Sequence, residues 1–383
     1  MEIVAAIDSF KGSMTSVQAG KAAAKGIHKV DPEAKVHVRP LADGGEGTVE
    51  ALVSGMNGTI RKVSVTGPIG KTVVCEYGVI ENTGGKTEEK TAVIEIAKAA
   101  GLTLLSEEER NPLYTTTYGV GEVIKDAVRN GCRKFIVGIG GSATNDGGAG
   151  MLQALGFGLL KENGEQIPIG ARGLEELAEI TDDNVIPELA ECKFKIACDV
   201  TNVLCGETGA SAVYGPQKGA DEEMTERLDR LLFSYASLVK KKIPKADSMY
   251  PGTGAAGGLG FAFLTFMDAQ VESGIQIVIK ETGLEQEIAK ADLVITGEGR
   301  MDGQTAMGKA PIGIAKIAKK YGKPVIAFAG AAARDAGACN EQGIDAFFPI
   351  LREAVSLEAA MKRENAEANM EAAVEQAYRL CRL

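Results

Sequence analysis

The chain has 383 residues, the length of two ordinary domains rather than one. Lys and Arg number 42 against 52 Asp and Glu, and the net charge of -10 excludes the basic face that a nucleic-acid binder needs. Glycine is in excess at 48, without the Gly-X-Y period of collagen, and histidine is scarce at two. No apolar run reaches the ~18 residues of a membrane helix, and the opening Met-Glu-Ile-Val-Ala-Ala-Ile-Asp lacks the basic start of a signal peptide. Seven scattered cysteines without a Cys-x-x-Cys pair predict a reduced, cytoplasmic chain with neither a zinc ribbon nor a redox pair.

Strand-length apolar runs occur at 2–7, 35–39, 59–65, 73–80, 91–96, 134–139, 193–198, 275–280, 292–296, 324–329 and 345–349. Helical periodicity occupies 15–29, 46–55, 118–130, 147–159, 222–242, 256–269, 311–321 and 356–381. The alternation predicts an α/β fold with mostly parallel strands. Three strands follow one another without a helix over 59–96, which predicts an antiparallel insert. Thr15 or Ser16 is placed to cap the first helix, and Pro311 suits the first turn of a later one. The segment after Ser356, rich in Ala, Glu and Arg, reads as one long solvent-facing helix.

The glycines gather where strands end. The loops are Asp8-Ser-Phe-Lys11-Gly-Ser13, Asp43-Gly-Gly-Glu46-Gly-Thr48, Gly140-Gly141-Ser142-Ala-Thr-Asn-Asp146-Gly-Gly148, Asp199-Val-Thr-Asn202 and Gly297-Glu298-Gly299-Arg300-Met-Asp302-Gly-Gln-Thr305. Ligands of open α/β sheets bind outside the carboxyl ends of the strands. Glycine lets backbone N–H groups approach an anion there. Each loop alone reads more readily as a tight turn than as a cradle; five together predict one small-molecule site. Gly303-Gln-Thr-Ala-Met-Gly308-Lys309 has P-loop spacing without the Ser or Thr that would hold Mg²⁺. Two Gly-x-Gly-x-x-Gly/Ala matches keep a dinucleotide-dependent oxidoreductase open, and a non-catalytic sugar-acid-binding protein is a third reading.

The loops carry carboxylates (Asp8, Asp43, Glu46, Asp146, Asp199, Glu298, Asp302) and cations (Lys11, Lys218, Arg300, Lys309). Oxygen donors suit Mg²⁺, and cations with backbone N–H groups suit phosphate. Phosphoryl transfer is mainly positioning and charge neutralisation and needs no histidine. Asp146 also stands where a residue would cap the helix that follows it.

These segments, with Gly138-Ile-Gly-Gly-Ser-Ala-Thr-Asn-Asp-Gly-Gly-Ala-Gly150, Cys198-Asp-Val-Thr-Asn202, Tyr214-Gly-Pro-Gln-Lys-Gly219, Gly254-Ala-Ala-Gly-Gly-Leu-Gly260 and Thr296-Gly-Glu-Gly-Arg-Met-Asp-Gly-Gln304, resemble the type I glycerate kinases of bacteria. The resemblance runs in order from residue 3 to about 330. It implies ATP- and Mg²⁺-dependent phosphorylation of D-glycerate to 2- or 3-phosphoglycerate. It also implies a Rossmann-like parallel-sheet domain, 1–65 plus 275–383, with a second mixed α/β domain, 66–274, inserted and the active site in the cleft between them. On this expectation Lys11, Asp43, Asp199 and Arg300 are catalytic. Gly140, Gly141, Ser142, Gly297, Gly299 and Lys309 hold ATP, and Asp146 and Glu298 bind the metal. The partners are small molecules only, with no nucleic acid and no membrane.

Overall fold

The computed structural model describes residues 1–42, 44–81 and 89–383. Its strands, in chain order, are β1 (Glu2–Ile7), β2 (Lys35–Val38), β3 (Thr59–Thr66), β4 (Thr72–Glu81), β5 (Lys90–Glu95), β6 (Cys132–Gly138), β7 (Gly158–Leu160), β8 (Glu179–Thr181), β9 (Lys193–Ala197), β10 (Gln270–Glu272), β11 (Leu293–Met301), β12 (Val325–Ala332) and β13 (Ala346–Pro349). The fold is α/β, as the alternation of periods predicts. Two compact units divide it: Met1–Asp43, Glu50–Asn57 and Ile275–Leu383 form the first, Gly44–Val49 and Gly58–Gly274 the second.

The first unit holds a five-stranded sheet in the order β13-β12-β11-β1-β2, parallel throughout. β1 and β11 are buried on both faces, which is why they read as near-continuous apolar runs. The helix Ser16–His28 starts at a capping box: the Thr15 hydroxyl accepts from the Gln18 N–H while the Gln18 side chain accepts from the Thr15 N–H. Its face of Ala19, Ala23 and Ile27 packs in one core with Ile3, Ile7, Phe328, Met370, Val374 and Tyr378.

The second unit holds a six-stranded sheet in the order β10-β9-β6-β5-β4-β3. The stretch β3-β4-β5 is antiparallel, as the absence of intervening helices predicts, and β5-β6-β9-β10 is parallel. β3 pairs with β4 through eight residues, from Thr59 opposite Val79 to Thr66 opposite Thr72, so it belongs with this sheet rather than with the first 65 residues. Helices Tyr118–Arg129, Ala149–Leu155, Glu222–Lys242 and Ala255–Phe266 accompany it, and Phe135, Phe194, Phe263, Leu232 and Tyr235 fill the core. No helix among the described residues is long and apolar enough to cross a membrane.

Three expectations change. The run at 275–280 is a helix, Gly274–Glu281, not a strand. Ile275, Ile277, Val278 and Ile279 are buried while Gln276 and Lys280, four apart, are exposed, a helical spacing that a short apolar run conceals. The segment after Ser356 breaks at Lys362 into Leu357–Met361 and Arg363–Cys381. The second of these buries Ala366, Met370, Val374, Ala377 and Tyr378 rather than facing solvent throughout. Finally, β11 continues through Gly297, Glu298 and Arg300 to Met301, so this motif is strand and not loop.

Candidate active site

In the second unit, the parallel strands deliver three furnished segments at their carboxyl ends. β6 leads into residues 139–148. Among the described residues, the N–H groups of Gly140, Gly141 and Ser142 meet no protein acceptor, whereas the rest of the segment is fastened from several sides. The Ala143 N–H donates to the Ala100 carbonyl at 2.8 Å and the Thr115 hydroxyl donates to the Ala143 carbonyl at 2.9 Å. The Lys218 ammonium donates to the Thr144 carbonyl at 2.7 Å, the Asn145 amide to Ser211 Oγ at 2.9 Å, and the Gly147 N–H to the Gly257 carbonyl at 2.9 Å. Consecutive open N–H groups of this kind form an anion nest.

Asp146 is fully buried within that segment. Its Oδ2 accepts from the Thr117 N–H at 2.8 Å, the Thr117 hydroxyl at 2.9 Å and the Gly150 N–H at 3.3 Å, and its Oδ1 from the Gly148 N–H at 3.1 Å. Burial pushes its carboxyl up from the usual range, and these four donors pull it back only in part. Asp146 is therefore an internal anchor. The expected metal contact is at odds with this placement, because no solvent-facing surface remains on its carboxylate.

β9 leads to Asp199, which is exposed just beyond Ala197. Gly44 packs on Ala197, and Gly45 on Gly140, so the turn at 44–48 lies over the same strand ends. Asp43, expected to be catalytic, lies outside the described residues. Glu95, the last residue of β5, was not expected at the site. It is 4% exposed and accepts the N–H groups of Val49, at 2.8 Å, and Gly47. Burial raises its pKa, against the pull of these bonds and of Lys98. It holds the 44–48 turn from a strand 46 residues further along. The only signal in the sequence is an acid inside the apolar run Thr-Ala-Val-Ile-Glu-Ile.

In the first unit, β11 places Glu298 and Arg300 ahead of the helix Gly303–Ala306. Thr305, fully buried, donates its hydroxyl to Glu298 Oε1 at 2.5 Å and accepts the Asp302 N–H at 3.1 Å. Asp302 Oδ1 accepts from the N–H groups of Gln304, at 3.0 Å, and Thr305, at 3.2 Å. Arg300 and Lys309 stand 3.7 and 3.9 Å from the Asp302 carboxylate. Burial pushes the Glu298 carboxyl up, and the Thr305 hydroxyl, Lys309 and Lys11 pull it partly back. Burial alone would raise Asp302 as well. There the two N–H donors, Lys309 and Arg300 outweigh it, and the net shift is downward. Lys11, Glu298, Arg300 and Lys309 are thus brought together, with Thr305 and Asp302 organising them.

Gly297, expected to face ATP, is paired with both Ile7 and Phe328 in the middle of the sheet. A Cβ there would lie 2.1 Å from the Phe328 carbonyl oxygen, so this glycine serves the approach of two strands. Gly299 has no such neighbour; a Cβ would find its nearest atom at 3.5 Å.

Among the described residues, no three His, Cys, Asp or Glu side chains gather into a metal site. Mg²⁺ is commonly held by one or two carboxylates with substrate phosphates and water, not by a protein cage. Glu298, with the Asp302 carboxylate beside it, supplies oxygen donors of the kind such an ion takes when it arrives with a nucleotide.

Residues 3–382 match the signature of the glycerate kinase family. The chain belongs to the glycerate kinase family. It is 48% identical to a glycerate kinase of Halalkalibacterium halodurans over 94% of this chain and 93% of that one. It is 46% identical to the glycerate 2-kinase of Escherichia coli K12, again over 94% and 93%. A crystal structure assigned as glycerate kinase 2 of Salmonella typhimurium LT2 superposes with a TM-score of 0.89 at 45% identity, over 100% of this chain and 98% of that one. As a member of the glycerate kinase family, the protein is an enzyme of the phosphotransferase class.

Proposed function

We propose that the protein transfers the terminal phosphoryl group of ATP to the 2-hydroxyl of D-glycerate, giving 2-phosphoglycerate and ADP. The observation that carries this reading is the run of open N–H groups at Gly140, Gly141 and Ser142, fastened from behind, in a chain of this family. The 2-position is favoured by the similarity to the Escherichia coli glycerate 2-kinase.

On this reading the open N–H groups hold ATP phosphate oxygens, with Lys309 as a cationic partner. Lys11 and Arg300 hold the glycerate carboxylate by charge-assisted bonds. Gly299 leaves backbone room beside them, and Glu298 would carry Mg²⁺. Mg²⁺, when bound there with the nucleotide, would supply neutralisation of phosphate charge. Asp199 or Asp43 accepts the proton of the attacking hydroxyl, and that oxygen forms the new P–O bond as the bond to ADP breaks. The same reading carries the domain division: a Rossmann-like domain from residues up to about 57 and from 275 to 383, with β3 assigned to the inserted domain.

Incubation with ATP, Mg²⁺ and D-glycerate, followed by ³¹P NMR, tests the proposal. The expected product is 2-phosphoglycerate. The 3-isomer would overturn the position, and ATP consumption independent of glycerate would overturn the acceptor.

A further inference from the structure

We infer that Lys218 is a positioning residue for nucleotide binding, acting through the Thr144 carbonyl to hold residues 140–142 open toward phosphate. The inference rests on the reading of that segment as the phosphate cradle.

Lys218 ends the short turn Pro216–Lys218 and is 2% exposed. Burying an ammonium group is costly unless a specific arrangement requires it. Its Nζ donates to the Thr144 carbonyl at 2.7 Å. That carbonyl is gripped from another side as well: a Cβ on Gly257, whose φ is +68°, would sit 2.0 Å from it. The Thr144 peptide is thus held between the Gly257 Cα and the Lys218 ammonium, two residues from the open N–H groups.

Charge points the same way. Asp146 lies within electrostatic reach of Lys218 and is fully buried in the same segment. With both present, the ground behind the cradle is close to neutral. Removing the ammonium would leave a buried carboxylate behind a site that must receive the phosphates of ATP, adding repulsion to lost support. Burial lowers Lys218 to about 7, and Asp146 works against that shift. A lysine that only filled space would lose stability on replacement and leave relative substrate affinities alone.

The test measures ATP binding by calorimetry, KM for each substrate and thermal unfolding, for the unaltered protein and for Lys218→Met, Lys218→Gln and Lys218→Arg. Lys218→Met is expected to weaken ATP binding about tenfold or more, the order of one bond to a charged group, and to leave KM for D-glycerate within about twofold. Lys218→Arg, which keeps the charge, is expected to recover part of the loss. Unchanged ATP affinity in folded Lys218→Met, or equal changes in both KM values, overturns the role. Where Lys218→Met does not fold, Lys218→Gln decides by the same two criteria. An unaltered protein that binds no ATP refutes the cradle reading and this role with it. ATP binding by the unaltered protein that survives Lys218→Met intact refutes the role of Lys218 alone.

Discussion

Asp146→Asn separates an anchor from a metal ligand. The substitution keeps the shape of the side chain, removes its charge and turns an NH₂ toward N–H and O–H donors. Three of the four donors converge on Oδ2. At least one is left facing another donor whichever way the amide turns, and the Lys218 ammonium loses its buried counter-charge. Leaving a buried donor facing another donor costs about 1–3 kcal/mol. A cooperative unit of roughly 200 residues loses about 2–4 °C of Tm per kcal/mol, so a fall of about 2–12 °C is expected. Scanning calorimetry gives the Tm, and initial rates against Mg²⁺ concentration give the metal dependence. An anchor lowers the Tm and leaves the half-saturating Mg²⁺ concentration unchanged in the enzyme that remains folded. A Tm within about 2 °C of the unaltered protein, with a Mg²⁺ requirement raised tenfold, would refute the argument from the four donors.

Three other outcomes follow from the geometry. Glu298 has its folded-state pKa raised above the usual 4.5 by burial, so the folded state favours its protonated form. Its stabilising contribution is present below that value and lost as pH rises through the folded pKa. Glu298→Gln is therefore expected to melt higher than the unaltered protein at neutral pH, to show little difference at pH 4, and to lose activity at least about a hundredfold; a Tm difference independent of pH would contradict the sign. Arg300→Ala is expected to raise KM for D-glycerate about tenfold with KM for ATP little changed, and Lys309→Ala to do the reverse, each by about the worth of one charge-assisted bond. Steady-state kinetics with each substrate varied would expose the assignment if the two effects were exchanged. Gly257→Ala pairs an unfavourable φ, at about 1–2 kcal/mol, with a backbone clash against Thr144. It is expected to lower the Tm and weaken ATP binding together, and a normal ATP affinity would show that the Thr144 carbonyl is free to move.

Much of this was legible in the residues because two periods, 2 and 3.6, separate strands from helices. The alternation gave the α/β class, and acid-bearing loops marked the strand ends at β1, β6 and β9. Glycine misled at Gly297, since close strand approach and a tight turn favour the same residue. Periodicity misled at 275–280, where six residues are too few to tell the two patterns apart. Asp146 carried both a capping and a metal reading, and only its surrounding donors decide between them. Glu95 and Lys218 act on segments 46 and 74 residues away in the chain. Such long-range fastening leaves no local pattern beyond a charge in an unexpected place.

The place of β1 between β11 and β2 bears on how the molecule is made. Ile3 pairs with Leu293, and the helix Ser16–His28 shares its core with Met370 and Val374. At about 5–20 residues per second of synthesis, roughly 15–60 s pass before β1 meets β11. The second unit is almost contiguous and can close in the meantime. Through that interval the run Ile3 to Ile7, wholly buried in the finished sheet, has only β2 to pair with. The nascent chain thus carries an apolar strand with one unsatisfied edge, a feature that invites aggregation until β11 arrives.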